Sequence, residues 1–200
     1  MIIGLTGQSG AGKTTVSDTL RKQEDFAVID CDKVAKQVTA DGSLCNMEIR
    51  KHFPEAVSEE GVLDRRKMAE TVFSDMDKLR LYEGIIYPYI TQVTNDLISL
   101  YSSNGYQAIV LDAPTLFEAG MEGLCDIVIG VTAAKDIRKK RIMARDGIDD
   151  ALIEKRFSSQ RDEEFFIKRC GYIVSNNAGE QELISEILKI TETIRTMING

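Results

Sequence analysis

Ile2-Ile3-Gly4-Leu5-Thr6-Gly7-Gln8-Ser9-Gly10-Ala11-Gly12-Lys13-Thr14-Thr15-Val16 opens the chain and decides its fold class. Ile2–Thr6 reads as a buried strand, Gly7–Gly12 as a turn, and Lys13 to about Lys22 as a helix. Gly7–Thr14 fits G-x-x-x-x-G-K-[ST] without a mismatch, in the strand-then-helix setting that gives the pattern its meaning. Glycines let the backbone curl until successive N–H groups face one centre, and a polyphosphate then rests against a helix N-terminus. On this reading Lys13 reaches the β- and γ-phosphates of a nucleoside triphosphate, and the Thr14 hydroxyl ligates Mg²⁺.

Working outward, the same unit recurs. Phe26–Asp30, Gln107–Asp112, Asp126–Val131 and Tyr172–Ser175 read as further strands. Helical patterns follow at Lys33–Val38, Pro114–Glu118, Ile137–Arg145 and Gln181–Met197. Apolar Ile/Val/Leu runs separated by helices indicate an α/β fold, a parallel sheet of roughly five strands covered on both faces. Residues 42–101 break the rhythm with helical patterns and no strand, more chain than a crossover needs. They are expected to form a helical subdomain, with helices divided or kinked near Pro54 and Pro88. A second, basic helical excursion, residues 135–169, is expected to act as a lid; the whole chain reads as one domain.

Composition narrows the function. The 200 residues carry 25 Lys+Arg against 32 Asp+Glu, a net charge of −7, which disfavours nucleic acid as a partner. No run approaches the ~18 apolar residues of a membrane span, and no basic leader precedes the first strand. Four scattered cysteines and a single histidine, His52, supply neither a zinc cluster nor a disulfide framework. A cytoplasmic protein with reduced thiols is the expectation.

The guanine-reading N-K-x-D of switch GTPases is absent, as is the second glycine-rich signature of transport ATPases, which leaves small kinases. Asp30 and Asp32 stand at the carboxyl end of the second strand, the edge where open parallel sheets bind ligands. A carboxylate there suits orienting an acceptor hydroxyl and taking its proton, with helix capping as the alternative duty. Of the two, Asp32 is the catalytic candidate. Asp112 closes the third strand as a candidate Mg²⁺ ligand or an ordinary strand-end residue. Lys135, Arg138, Lys139, Lys140, Arg141 and Arg145 crowd one helix, with one or two of them expected at the phosphates.

Together these motifs resemble the dephospho-coenzyme A kinase family over nearly the whole chain. Ile29-Asp30-Cys31-Asp32 is similar to the family's D-A-D segment, and Gly61-Val62-Leu63-Asp64-Arg65 to its G-x-L-D-R. Asp112-Ala113-Pro114-Thr115-Leu116-Phe117-Glu118 resembles its D-x-P-L-L-F-E. Pro88, Arg141, Arg145, Gln160 and Asn176-Asn177-Ala178-Gly179 follow in order. The resemblance implies ATP-dependent phosphorylation of the ribose 3′-hydroxyl of dephospho-coenzyme A, with ATP and that acceptor as the partners. It assigns Asp32, Lys13 and Arg145 to catalysis. ATP falls to Gly7, Gly10, Ala11, Gly12, Lys13, Thr14, Thr15, Arg141 and Asn177, with Asn177 near the base. The acceptor falls to Thr6, Asp32, Lys36, Arg65 and Phe117. Departures from the family are Lys36 for Arg, Tyr87 for His, Thr115 for Leu, Cys170-Gly171 for Ala-Asp and Ser175 for Asp. Rival readings are another small-molecule kinase, acting on a nucleoside, nucleotide or shikimate-like alcohol, and a non-catalytic nucleotide switch.

Overall fold

The computed structural model describes residues 1–200. Its elements are β1 (Ile2–Gly7), α1 (Lys13–Arg21), β2 (Phe26–Asp30), α2 (Cys31–Val38), α3 (Leu44–His52), α4 (Arg65–Phe73) and α5 (Met76–Ser103). Then come β3 (Ala108–Asp112), β4 (Ile127–Thr132), α6 (Lys135–Asp146), α7 (Asp150–Ser158), α8 (Glu163–Arg169), β5 (Tyr172–Ser175) and α9 (Glu180–Asn199).

All five expected strands are present, in one sheet ordered β2-β3-β1-β4-β5. β1 lies centrally and pairs in parallel with β3 and β4, and β4 with β5. Strands wetted on neither face need apolar residues at successive positions, and β3 (Ala-Ile-Val-Leu-Asp) is buried throughout. Ile3, Leu5, Val110, Ile129, Val131 and Val174 of the sheet pack with Val16 and Leu20 of α1 and Leu183, Ile187 and Ile194 of α9.

Two local expectations fail. Residues 114–118 form turns instead of a helix, closed by a 3-10 turn at Met121–Leu124. The segment is too short to offset helix nucleation, and Gly120 turns left-handed, with φ 64°, right after it. Pro88 does not divide its helix either, for α5 runs unbroken through it over 28 residues. A proline in a helix interior lacks the N–H that would bond the carbonyl four residues back, here that of Gly84, so the helix carries Pro88 with one backbone bond missing. Pro54 behaves as expected, since α3 ends at His52 and a 3-10 turn starts at the proline.

The chain divides into two compact units, Met1–Val28 with Tyr101–Gly200, and Ile29–Leu100. The helical unit therefore starts before residue 42 and takes in α2. Phe53 and Tyr82 meet edge to face within it, with centroids 6.1 Å apart. Arg65 donates from Nη2 to the Lys36 carbonyl and the Thr39 hydroxyl, which ties α4 to the end of α2. None of the helices is long and apolar enough to cross a membrane.

Ile187 is fully buried where α9 covers the sheet beside α1. Ile187→Ala removes three carbons from a packed site and should cost ~2–5 kcal/mol. Denaturant unfolding of the purified variant checks this through a lowered midpoint at unchanged m.

Candidate phosphate-binding site

The loop after β1 is shaped by two glycines in the left-handed region, Gly10 at φ 77° and Gly12 at φ 105°. Most L-residues resist that conformation because of their Cβ. Space imposes the same choice. A Cβ on Gly10 would lie 2.8 Å from the Arg138 carbonyl oxygen of α6, and one on Gly12 would fall onto Asn176 Nδ2. The loop therefore touches α6 on one side and Asn176, just past the end of β5, on the other.

Side-chain oxygens of Asp30, Ser43, Asp64, Asp149 and Asp162 cap α2, α3, α4, α7 and α8. The Gly12 start of α1 has no such cap. Its first-turn amides, from Lys13 through Thr15, are left for an anion at the positive end of the helix dipole. Asp30 is thus seen in the capping duty, accepting from the Lys33 amide at 2.9 Å.

Lys13 Nζ is ion-paired with Asp112 Oδ1, the pair being mostly buried. The two residues expected at the phosphates and at the metal are thereby brought together across β1 and β3. Thr14 is exposed at the first turn of α1. Thr6 is fully buried and donates its hydroxyl to the Pro114 carbonyl at 3.2 Å, fixing the turn after β3 beside the loop.

The basic helix is less bare than its sequence suggests, because acids from elsewhere meet it. Lys135 pairs with Glu154, Lys139 with Asp150 and Glu154. Arg138 is buried, bonded to the Ala133 carbonyl and stacked 4.4 Å from the Phe157 ring centroid. Arg145 is forked onto Asp146, from Nε at 2.7 Å and Nη2 at 2.9 Å, and Arg156 holds the same carboxylate at 2.7 Å. Those two guanidinium groups hold the Asp146 carboxyl well below the usual range. The α6 arginine turned to the loop is Arg141, with Nη1 3.5 Å from both the Gly10 and the Ala11 carbonyl oxygens.

The remaining expected residues are placed as follows. Asn177 accepts from the Ala134 amide at 2.7 Å, which tethers the start of α6, and donates to Ser175 Oγ. Phe117 joins an edge-to-face cluster with Phe165 at 5.0 Å, and Arg169 lies over its ring. Asp32, exposed at the second position of α2, belongs to the helical unit together with Lys36 and Arg65. Cys45 and Cys170 are pushed up to about 11 and Cys125 to about 12 by burial, so these thiols stay protonated at neutral pH.

Sequence reasoning gave no site role to three residues that touch the loop. Asn176 bonds the Ala11 carbonyl at 2.8 Å, Gln160 Oε1 accepts from the Ser9 amide at 3.2 Å, and the Gln8 side chain reaches the Arg161 carbonyl. The usable signal for Asn176 was its position, directly after the last residue of β5 at the carboxyl edge of the sheet.

Against known proteins, the family model described as dephospho-CoA kinase matches residues 1–182. The chain belongs to the dephospho-CoA kinase family. A dephospho-CoA kinase of Fusobacterium nucleatum is 34% identical over 194 residues, covering 97% of this chain and 98% of its own. The crystal structure of TT1252 from Thermus thermophilus superposes with a TM-score of 0.84 at 33% identity, over 96% of each chain. A dephospho-CoA kinase structure from Campylobacter jejuni shares the fold, with a TM-score of 0.62 at 24% identity over 96% of each chain. The α/β kinase fold expected from the phosphate loop and the alternating strands and helices along the chain is thereby borne out, as is the resemblance to this family.

Gly12→Ala should uncouple folding from nucleotide binding. The left-handed backbone costs an L-residue ~1–2 kcal/mol, and the methyl displaces Asn176 from the loop. ATP affinity should fall at least ~10-fold while circular dichroism shows a folded protein; calorimetric titration with ATP measures it.

Proposed function

We propose that this protein transfers the γ-phosphoryl group of ATP to the ribose 3′-hydroxyl of dephospho-coenzyme A, giving coenzyme A and ADP, the last step of coenzyme A synthesis. The carrying observation is the uncapped α1 start behind a complete phosphate loop, in a chain whose family match spans residues 1–182. The acceptor oxygen bonds to the γ-phosphorus as that atom's bond to the β–γ bridging oxygen breaks. The bonding pair leaves with ADP. The hydroxyl proton goes to the Asp32 carboxylate. Most of the barrier reduction comes from positioning and charge stabilisation, since such a transfer needs little covalent help from the protein.

Amides from Gly10 to Thr15 hold the phosphates, joined by Lys13. Its ammonium has three protons, so one stays on Asp112 while another meets a phosphate oxygen. Mg²⁺ arrives with ATP as part of the substrate. The Thr14 hydroxyl and the Asp112 carboxylate are hard oxygen donors that fit an ion keeping most of its water and phosphate ligands. When bound, the ion would offset the charge that develops on the phosphate oxygens. Arg141 and Asn177 serve the nucleotide. Arg145 serves the transferring phosphoryl group once it exchanges Asp146 for it. Lys36, Arg65, Thr6 and Phe117 serve the acceptor, within a single kinase domain of which residues 135–169 form the lid. The reaction is assigned to the cytoplasm, in keeping with four free cysteines.

Asp32→Asn keeps the shape and removes the basic oxygen. General bases contribute ~10²–10⁴-fold, so kcat should fall at least ~100-fold while calorimetric ATP affinity holds. Wild-type kcat in a folded, ATP-binding variant would falsify the assignment.

Arg65→Ala should act on the acceptor instead. The KM for dephospho-coenzyme A should rise ~10-fold, with kcat nearly unchanged, as binding common to ground and transition states is lost. Steady-state kinetics at saturating ATP decide it, and a pure kcat effect contradicts the placement.

A further inference from the structure

Asn176 is 5% exposed, and its carboxamide has both ends engaged. Nδ2 donates to the Ala11 carbonyl at 2.8 Å, and Oδ1 accepts from Arg141 Nη2 at 3.1 Å. The orientation follows from chemistry: a guanidinium only donates and a carbonyl only accepts, so a flipped amide would break both bonds. The backbone is fixed as well, since the Asn176 amide donates to the Thr132 carbonyl at 2.8 Å, continuing the β4–β5 ladder by one residue. The side chain fills the volume that a Cβ on Gly12 would need. One residue at the end of the sheet, fixed at both backbone and side chain, thus meets both the loop and α6.

Resting on the ATP-binding reading above, we propose that Asn176 is a positioning residue for the nucleotide. It sets the curvature of the loop at Ala11–Gly12 and holds the Arg141 guanidinium against Gly10 and Ala11. Among the arginines of α6, it is Arg141 that bonds both the loop carbonyls and Asn176, while Arg138 is stacked on Phe157 and Arg145 lies forked onto Asp146. An Asn suits the task where an Asp or Ser does not. It alone offers a donor to the loop and an acceptor to the arginine from one planar group, with no charge left in a buried place.

The test is a double-mutant cycle, Asn176→Ala, Arg141→Ala and both together, read by ATP titration calorimetry without acceptor. Residues that act as a unit are non-additive. Each single change should weaken ATP binding ~10-fold, and the pair should weaken it little further. A double variant weakened ~100-fold, the product of independent losses, overturns the proposal. So does Asn176→Ala with a lower melting temperature and wild-type ATP affinity, the signature of a purely structural residue. In turnover, the KM for ATP should rise while that for the acceptor stays put. Should Asn176→Ala fail to fold, the isosteric Asn176→Asp serves. It keeps an acceptor for Arg141 and sets an oxygen against the Ala11 carbonyl, so wild-type ATP affinity there overturns the loop half. A wild-type protein that binds ATP but does not phosphorylate dephospho-coenzyme A sinks the acceptor assignment alone and leaves this one standing. Wild-type protein that binds no ATP overturns both.

Discussion

The left-handed backbone of Gly10 and Gly12 is the constraint on which the site depends. It curls the loop so that Ala11 N–H closes back on the Gln8 carbonyl at 3.0 Å, and with glycine at its start α1 has no side-chain cap. Five other helices use an Asp or Ser side chain at that position, while α1, α6 and α9 start on Gly or Ala without one; of these three, only α1 follows directly on the glycine loop, where an anion is expected to be the cap. The sheet supplies the rigidity. β1 is central, paired on both sides, and covered by α1 and α9.

Charge around the loop is arranged by pairing more than by composition. The basic run of α6 looks in sequence like a solvated face or a phosphate clamp, with Asp136 as its one near counterweight. In the fold, Asp150 and Glu154 of α7 take up Lys135 and Lys139, and Asp146 takes up Arg145 and Arg156. The lysine pairs are exposed and of modest worth in stability, whereas Asp146 is held by a two-point fork and a second guanidinium. Clustered cations on an otherwise acidic protein concentrate positive potential locally, which suits a small polyanionic ligand.

Much of the fold was legible because its signals are local or periodic. All five strands fall within a residue or so of their expected bounds, since runs such as Ala108–Asp112 are apolar at every position and end in a polar residue. The helix through Pro88 was misjudged for a reason equally physical. One lost backbone bond at Pro88 is small beside the many that a 28-residue helix makes, so the helix continues through it. Residues 114–118 have helical composition, but too few positions before Gly120 to form one.

The sequence by itself determined the α/β class, the phosphate loop with Lys13 and Thr14, and the family, because an ordered motif set is carried by residue identity and spacing alone. Tertiary structure decided the rest of the site. It pairs Lys13 with Asp112 across 99 residues of chain and brings Asn176 to Ala11 across 165. It also chooses Arg141, out of six basic residues on one helix, as the one that faces the loop. Contacts at such separation leave no periodic trace, since they follow from which strands become neighbours in the sheet, and strand order is a property of the packed whole.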